Sequence, residues 1–249
     1  MEVHHHPDLH HKPKKWKEYL MEFLMIFLAV TLGFFAENIR EQTVNNEKEK
    51  HYAERLTADL TKDTIHINYL IDQQLLLLDK MSNTLKINSD SIYELQRQRS
   101  FYSNFIFFYS WVPVFLRTES TITQLKSSGG LNVMSKPSLV DSIGSLDNNY
   151  DVLKYNNDWY IKSCESVLSV ADQFIVVHKM PSAFTDTAFA FPPPGTKIFF
   201  NYDTRLSAQL YNKIKIEQAM LDLIVFLERQ YKTESGNLLN LLQKEYQLK

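Results

Sequence analysis

Apolar residues along this chain form one short uninterrupted block and several long stretches in which they recur every three or four positions. The block is Phe23–Ala36, FLMIFLAVTLGFFA, with Thr31 as its only polar side chain. Alone it is shorter than a bilayer span and reads equally well as a buried core helix. Its flanks change that reading. Trp16 and Tyr19 precede it one turn apart, where amphipathic rings sit at a headgroup interface. From Trp16 to Ala36 there are 21 residues, which at about 1.5 Å each match a hydrocarbon layer of roughly 30 Å. The pattern therefore predicts a transmembrane helix over 16–36.

Beyond it, residues 37–51 are charged and free of Gly and Pro, and they extend the helix as a solvated stalk. From Tyr52 the spacing becomes amphipathic through Leu56, Leu60, Ile67, Leu70, Ile71, Leu75, Leu78, Met81 and Leu85, so one face needs partners. Asn88-Ser89-Asp90 breaks the pattern and offers a cap for a segment that starts near Ile92. That segment turns aromatic at Phe101, Tyr102, Phe105, Phe107, Phe108, Tyr109 and Trp111, and it ends or kinks at Pro113. Such a run reads as core packing, with a ligand-stacking surface as the competing account. A short helix is expected from Thr118, with Glu119 in its first turn, stopping at Gly129-Gly130. Ser135 then caps a helix of about forty residues with Pro137 in its first turn. Its apolar stripe runs from Leu139 to Ile175 and includes Cys164. The Pro-rich stretch 180–202 reads as a loop packed over the bundle, with a partner-binding loop as the alternative. Asp203 or Thr204 opens the last helix, which Ser235-Gly236-Asn237 is placed to bend.

The fold class this predicts is all-α: one N-terminal transmembrane helix followed by a long antiparallel helical bundle of about four elements over 52–249. The 6 glycines and 8 prolines are too few for the turns of an all-β chain, which supports the same conclusion. Heptad-like spacing in the first and last helices also permits coiled-coil association, so a homo-oligomer or another membrane protein is an expected partner. A formal charge of -2 carries no basic surplus, which argues against nucleic acid.

Charge gives the span a direction. Lys12, Lys14, Lys15 and Lys17 crowd one flank, and Glu37, Arg40 and Glu41 follow the other. The positive-inside rule then places the tail 1–15 in the cytoplasm and the bundle outside it. A cleaved signal peptide has the same basic-then-apolar order, but a cut after Ala36 puts the bulky Phe34 where a small residue belongs, so an uncleaved signal anchor fits better.

Candidate chemistry is sparse. GxGxxG, GxxxxGK[ST], HExxH, GxSxG and CxxC are all absent, and the carboxylates read as scattered over solvent faces, so no enzyme is expected. Cys164 is the sole cysteine, which excludes an intramolecular disulfide, and its place on the apolar stripe reads as structural. His4, His5, His6, His10 and His11 form the one constellation of metal-binding composition, able to hold Zn, Cu or Ni weakly in a flexible tail. Glu22 is the carboxylate set deepest inside the span. Lysines at the interface can satisfy it, or it can line an ion path in an oligomer.

The block EFLMIFLAVTLGFFAENIRE, Glu22–Glu41, with the MEVHHH start and KPKKWK before it, resembles a family of uncharacterised single-span membrane proteins from Bacteroidota. TITQLKSSGGLNVM, Thr121–Met134, is similar to a second block of that family. The resemblance implies a native His tail and a Gram-negative inner membrane, which makes the bundle's side the periplasm, and it brings no catalytic residues. The function expected from all of this is a non-enzymatic, membrane-anchored sensor, scaffold or assembly partner. An ion-coupled or transport-associated component using Glu22 and metal handling through the tail are the alternatives.

Overall fold

The computed structural model describes residues 15–109, 111–176 and 197–248. Two compact units divide the chain, Met1–His51 and Tyr52–Lys249. The fold is all-α, and among the described residues there is no strand beyond an isolated antiparallel bridge between Ile175 and Phe199. The helices in chain order are α1 (Trp16–Leu85), α2 (Leu95–Tyr109), α3 (Ser120–Ser127), α4 (Gly130–Val133), α5 (Pro137–Ala171) and α6 (Thr204–Tyr246).

In the first unit, α1 begins at Trp16, the residue where the aromatic flank predicts a start. Its apolar stretch has a mean hydropathy of 2.0 with none of that window buried, so it is long and apolar enough to cross a membrane. The Thr31 hydroxyl donates to the Phe27 carbonyl at 2.7 Å. That local bond satisfies the one polar side chain within the apolar stretch, as a hydrocarbon environment would require. The 37–51 stalk is helical throughout and opens with Arg40 paired to Glu37 at 2.5 Å.

The second unit is built on the antiparallel pair α5 and α6. Lys136 pairs with Glu245 at 2.5 Å near one end, and the Cys164 thiol meets Glu217 toward the other. Leu210, Ile214, Leu221, Ile224, Tyr231, Leu238 and Leu242 are all buried, so the three-and-four spacing of α6 does aim one stripe inward. Each such aliphatic side chain contributes roughly 1.5–3 kcal/mol when withdrawn from water. The Tyr52–Leu85 part of α1 runs antiparallel to α6, with Gln74 bonded to Glu228 and Ser82 to Gln218. Leu56, Leu60, Ile67, Leu77 and Met81 supply its buried stripe, whereas Leu75 points outward at 40% exposure.

The aromatic run is core, as its composition implies: Phe101, Tyr102, Phe105 and Phe108 of α2 are buried. Phe101 stacks on Phe105 and Tyr211 at 5.4 and 6.4 Å. Three local expectations are corrected. Turns occupy 86–94, where the Asn88 side chain accepts from the Asp90 amide at 3.0 Å, so α2 starts at Leu95 and not near Ile92. Helix α3 starts at Ser120 and not at Thr118, because the Thr118 amide and hydroxyl both donate to Asp63 at 2.8–3.1 Å. The cap of α5 is Lys136 and not Ser135, with Pro137 at the first helical position, and the helix runs 35 residues. Asp203 caps α6 as expected, accepting from the Arg205 and Leu206 amides at 3.0 Å, and α6 continues unbroken past Gly236.

The Gly129-Gly130 stop works through two different constraints. Gly129 has φ of 69°, a left-handed turn natural to glycine. At Gly130 a Cβ would lie 3.0 Å from Leu125 Cδ2 and 3.1 Å from Tyr52 Cε2, so any larger residue forces those neighbours to give by a few tenths of an ångström. Most of the Pro-rich 180–202 stretch lies outside the described residues. Of its end, Ile198 and Phe199 are buried, and the Val176 amide donates to the Ile198 carbonyl at 2.7 Å.

Candidate functional site

Two places in the chain depart from what a plain helical bundle needs, and they lie in different units. One is the exposed apolar stretch of α1. There Phe34 is 74% exposed and Phe23 63%, and Glu22 is half-buried between exposed neighbours. Large hydrophobic side chains left bare on every side of a helix lose the stabilisation that burial gives, unless lipid or another protein surrounds them. The histidines at 4, 5, 6, 10 and 11 fall outside the described residues. Among the described residues no group of three His, Cys, Asp or Glu side chains is placed to hold a metal.

The other place is a polar seam in the interior of the second unit, and it corrects the expectation that every carboxylate sits on a solvent face. Glu217 is 2% exposed and Glu228 fully buried. Their positions explain how: 210, 214, 217, 221, 224, 228 and 231 form one unbroken three-and-four register, so both acids stand on the apolar stripe of α6. That register is the signal a sequence reading limited to apolar positions misses.

Glu217 accepts from the Cys164 thiol at 3.4 Å. Burial raises its pKa to about 7, and the thiol contact only partly opposes this. Glu228 accepts from Gln74 Nε2 at 3.0 Å, and burial lifts it likewise to about 7 against the hydrogen bonds from Gln74 and the Phe115 amide. Gln74 also donates to the Pro113 carbonyl at 3.3 Å, and Asn157 Nδ2 to the Phe115 carbonyl at 3.4 Å. The extended segment 111–119 is thus pinned between α1 and α5 by carboxamides. Oxygens of Gln74, Asn157, Glu217 and Glu228 remain without hydrogen-bond partners inside this core. A protonated carboxyl adds an O–H donor among surplus acceptors, which is a second reason for these two groups to stay neutral.

Burial, followed by the adjacent Glu217 charge, pushes the Cys164 thiol far up. A thiol so held keeps its proton at neutral pH and is a poor nucleophile. Its structural reading therefore agrees with its surroundings, since Cys164 is 6% exposed.

A second polar cluster ties 111–119 to the bundle. The Arg117 side chain is 6% exposed, bonds Asp147 at 2.6 Å and lies 4.1 Å from the Tyr150 ring centre. Lys126 reaches the other Asp147 oxygen at 2.6 Å. Burial acts to raise Asp147, but the hydrogen bonds from Lys126 and Arg117 outweigh it and hold its carboxyl below the usual range. Asp63 is raised by burial, against the two bonds from Thr118. Nothing about these charges directs them to a ligand. They lock a non-helical segment that would otherwise leave backbone groups bare.

Comparison of the chain with protein-family models, with curated proteins and with solved structures gives no match. The fold and its chemistry therefore carry the functional reading.

Proposed function

We propose that this is a membrane-anchored helical protein whose bundle, on the periplasmic side of a bacterial inner membrane, works through protein contacts as a sensor, scaffold or assembly partner, without catalysis. The observation that carries the reading is the bare apolar stretch of α1, with a mean hydropathy of 2.0 and no buried share. The lysines before it and the acidic residues after it set the direction. A buried interior whose carboxyl groups are shifted by burial toward their protonated form suits a rigid platform more than a reaction centre.

The test is topological. A reporter active only in the periplasm, fused after Lys249, should be active, and the chain should stay with membranes through alkaline carbonate extraction. Reporter activity in the cytoplasm alone, or release by carbonate, overturns the reading.

A further inference from the structure

The side of the α5–α6 pair that faces away from the core is unusually apolar for an exposed surface. Tyr155 is 62% exposed, Trp159 49%, Ile216 55% and Phe226 56%, with Val152 and Leu223 beside them. At roughly 150–250 Å² per aromatic side chain, the three rings alone leave about 250–400 Å² bare, already the size of the largest patch on an ordinary monomer. The strip is continuous because α5 and α6 are in register. Lys213 bonds Ser166, Trp159 shares a cleft of about 240 Å³ with Ile216 and Met220, and Ser145 reaches Glu234.

Its charges are arranged by end. Lys162 and Lys213 rim the cleft at one end. Asp141 and Glu234 stand on the same outward stripes at the other, 21 residues away along each helix, or about 31 Å at the helical rise. Between them the positions that line the groove, Val152, Tyr155 and Trp159 on α5 and Ile216, Met220 and Leu223 on α6, are apolar, and the exposed Asp151 and Asp158 stand one position further around α5.

We propose that this face is a docking groove for a single amphipathic helix of another protein. The helix is about six turns long, with an apolar stripe over Trp159, Ile216 and Leu223. Carboxylates at one end meet Lys162 and Lys213, and cations at the other meet Asp141 and Glu234. A second copy of the chain is the poorer occupant, an argument that rests on the membrane reading above. To set Lys213 against Glu234, two copies must run antiparallel. That puts the two Tyr52 ends of the paired domains at opposite ends, whereas anchors in one bilayer require them at the same end.

The experiment uses the full chain in lipid nanodiscs, with empty nanodiscs as the blank. The probes are three labelled synthetic helices sharing a leucine stripe: one acidic at one end and basic at the other, one basic at both ends, one acidic at both. The mixed helix should bind three- to tenfold more tightly than either uniform one, as expected for two exposed ion pairs. Reversing Lys162→Glu with Lys213→Glu should move the preference to the helix that is basic at both ends. Leu223→Asp should weaken the mixed helix more than tenfold with helical content unchanged, because it places a charge at the centre of the contact. Equal binding of all three helices overturns the proposal. So does a preference that charge reversal does not move, or a disulfide forming between copies that carry Leu223→Cys. A chain that fails to partition into membranes fails the anchoring reading instead, and leaves the peptide result to stand by itself.

Discussion

The Cys164 thiol of α5 donates to the Glu217 carboxyl of α6 across 3.4 Å of otherwise apolar core. The buried Tyr160 and Leu221 lie one turn away on one side of it and the buried Val167 and Ile214 on the other, so the contact is sealed on both sides. It leaves Glu217 with one weak donor, too little to hold a charge in that setting.

Stability should therefore fall as pH rises. Glu217 and Glu228 titrate near 7 in the folded chain, against an ordinary glutamate value of 4.5. Between those values the folded state holds more protons than the unfolded one, so their contribution is intact below about pH 4.5 and lost as pH climbs through about 7. The loss is on the order of 3 kcal/mol for each group. Asp63, also raised by burial, acts in the same direction. Asp147, held low by Lys126 and Arg117 after burial is overcome, acts oppositely, and its contribution disappears as pH falls through its lowered value. The urea midpoint of the detergent-solubilised chain should peak near pH 5 and decline toward pH 8. Glu217→Gln and Glu228→Gln should each flatten that decline. A midpoint that rises over the same range, or Gln variants with the parental slope, would sink the idea.

Asp147 should be far less replaceable than its surface neighbours. It receives Arg117 and Lys126, both at 2.6 Å, and the Arg117 side chain is 6% exposed. Asp147→Asn removes the carboxylate charge that pairs this buried guanidinium and leaves it the amide oxygen, the Tyr150 ring and the field of Asp63, a loss of about 3–5 kcal/mol. Asp141→Asn, at an exposed position of the same helix, should change stability by less than about 0.5 kcal/mol. Equal denaturation midpoints for the two variants would show that the buried pair is not what holds 111–119 in place.

Two glycines make a matched pair. At Gly130 a new methyl meets Leu125 and Tyr52 at 3.0–3.2 Å, and at Gly144 it meets nothing within 4 Å. Gly130→Ala should destabilise by about 1–3 kcal/mol through overpacking. Gly144→Ala, inside α5, should stabilise by roughly 0.5–1 kcal/mol through helix propensity. Thermal melts of both variants check the signs, and a gain at Gly130 would contradict the close approach.

How far the sequence reveals this protein depends on the kind of signal. The all-α class, the helix starting at Trp16, the Asp203 cap and the burial of Phe101, Phe105 and Cys164 follow from local periodicity and capping chemistry. These act over a few residues and are visible in one dimension. The start of α3 is not, because Thr118 is held by Asp63, 55 residues away. The buried acids escape for another reason: Glu217 and Glu228 obey the helical register but violate its polarity rule, so a search for apolar repeats passes over them. The exposed strip on α5–α6 escapes because Trp159 and Phe226 lie off the repeating apolar face, so a search for that face leaves them aside.

Cys164 offers a direct report on how the core opens. Its thiol is 6% exposed and held protonated by burial and by Glu217, so both access and thiolate fraction are low in the folded state. Maleimide should label the native chain at least a hundredfold more slowly than the urea-unfolded one, and only as fast as α5 and α6 part. Raising the pH toward 8 ionises Glu217, which destabilises that contact and should speed labelling beyond the increase seen for the unfolded chain. Glu217→Gln removes the titrating group and should abolish the extra acceleration. Fast labelling of the native chain at pH 6 would place Cys164 on an accessible surface and contradict the packing of the α5–α6 pair.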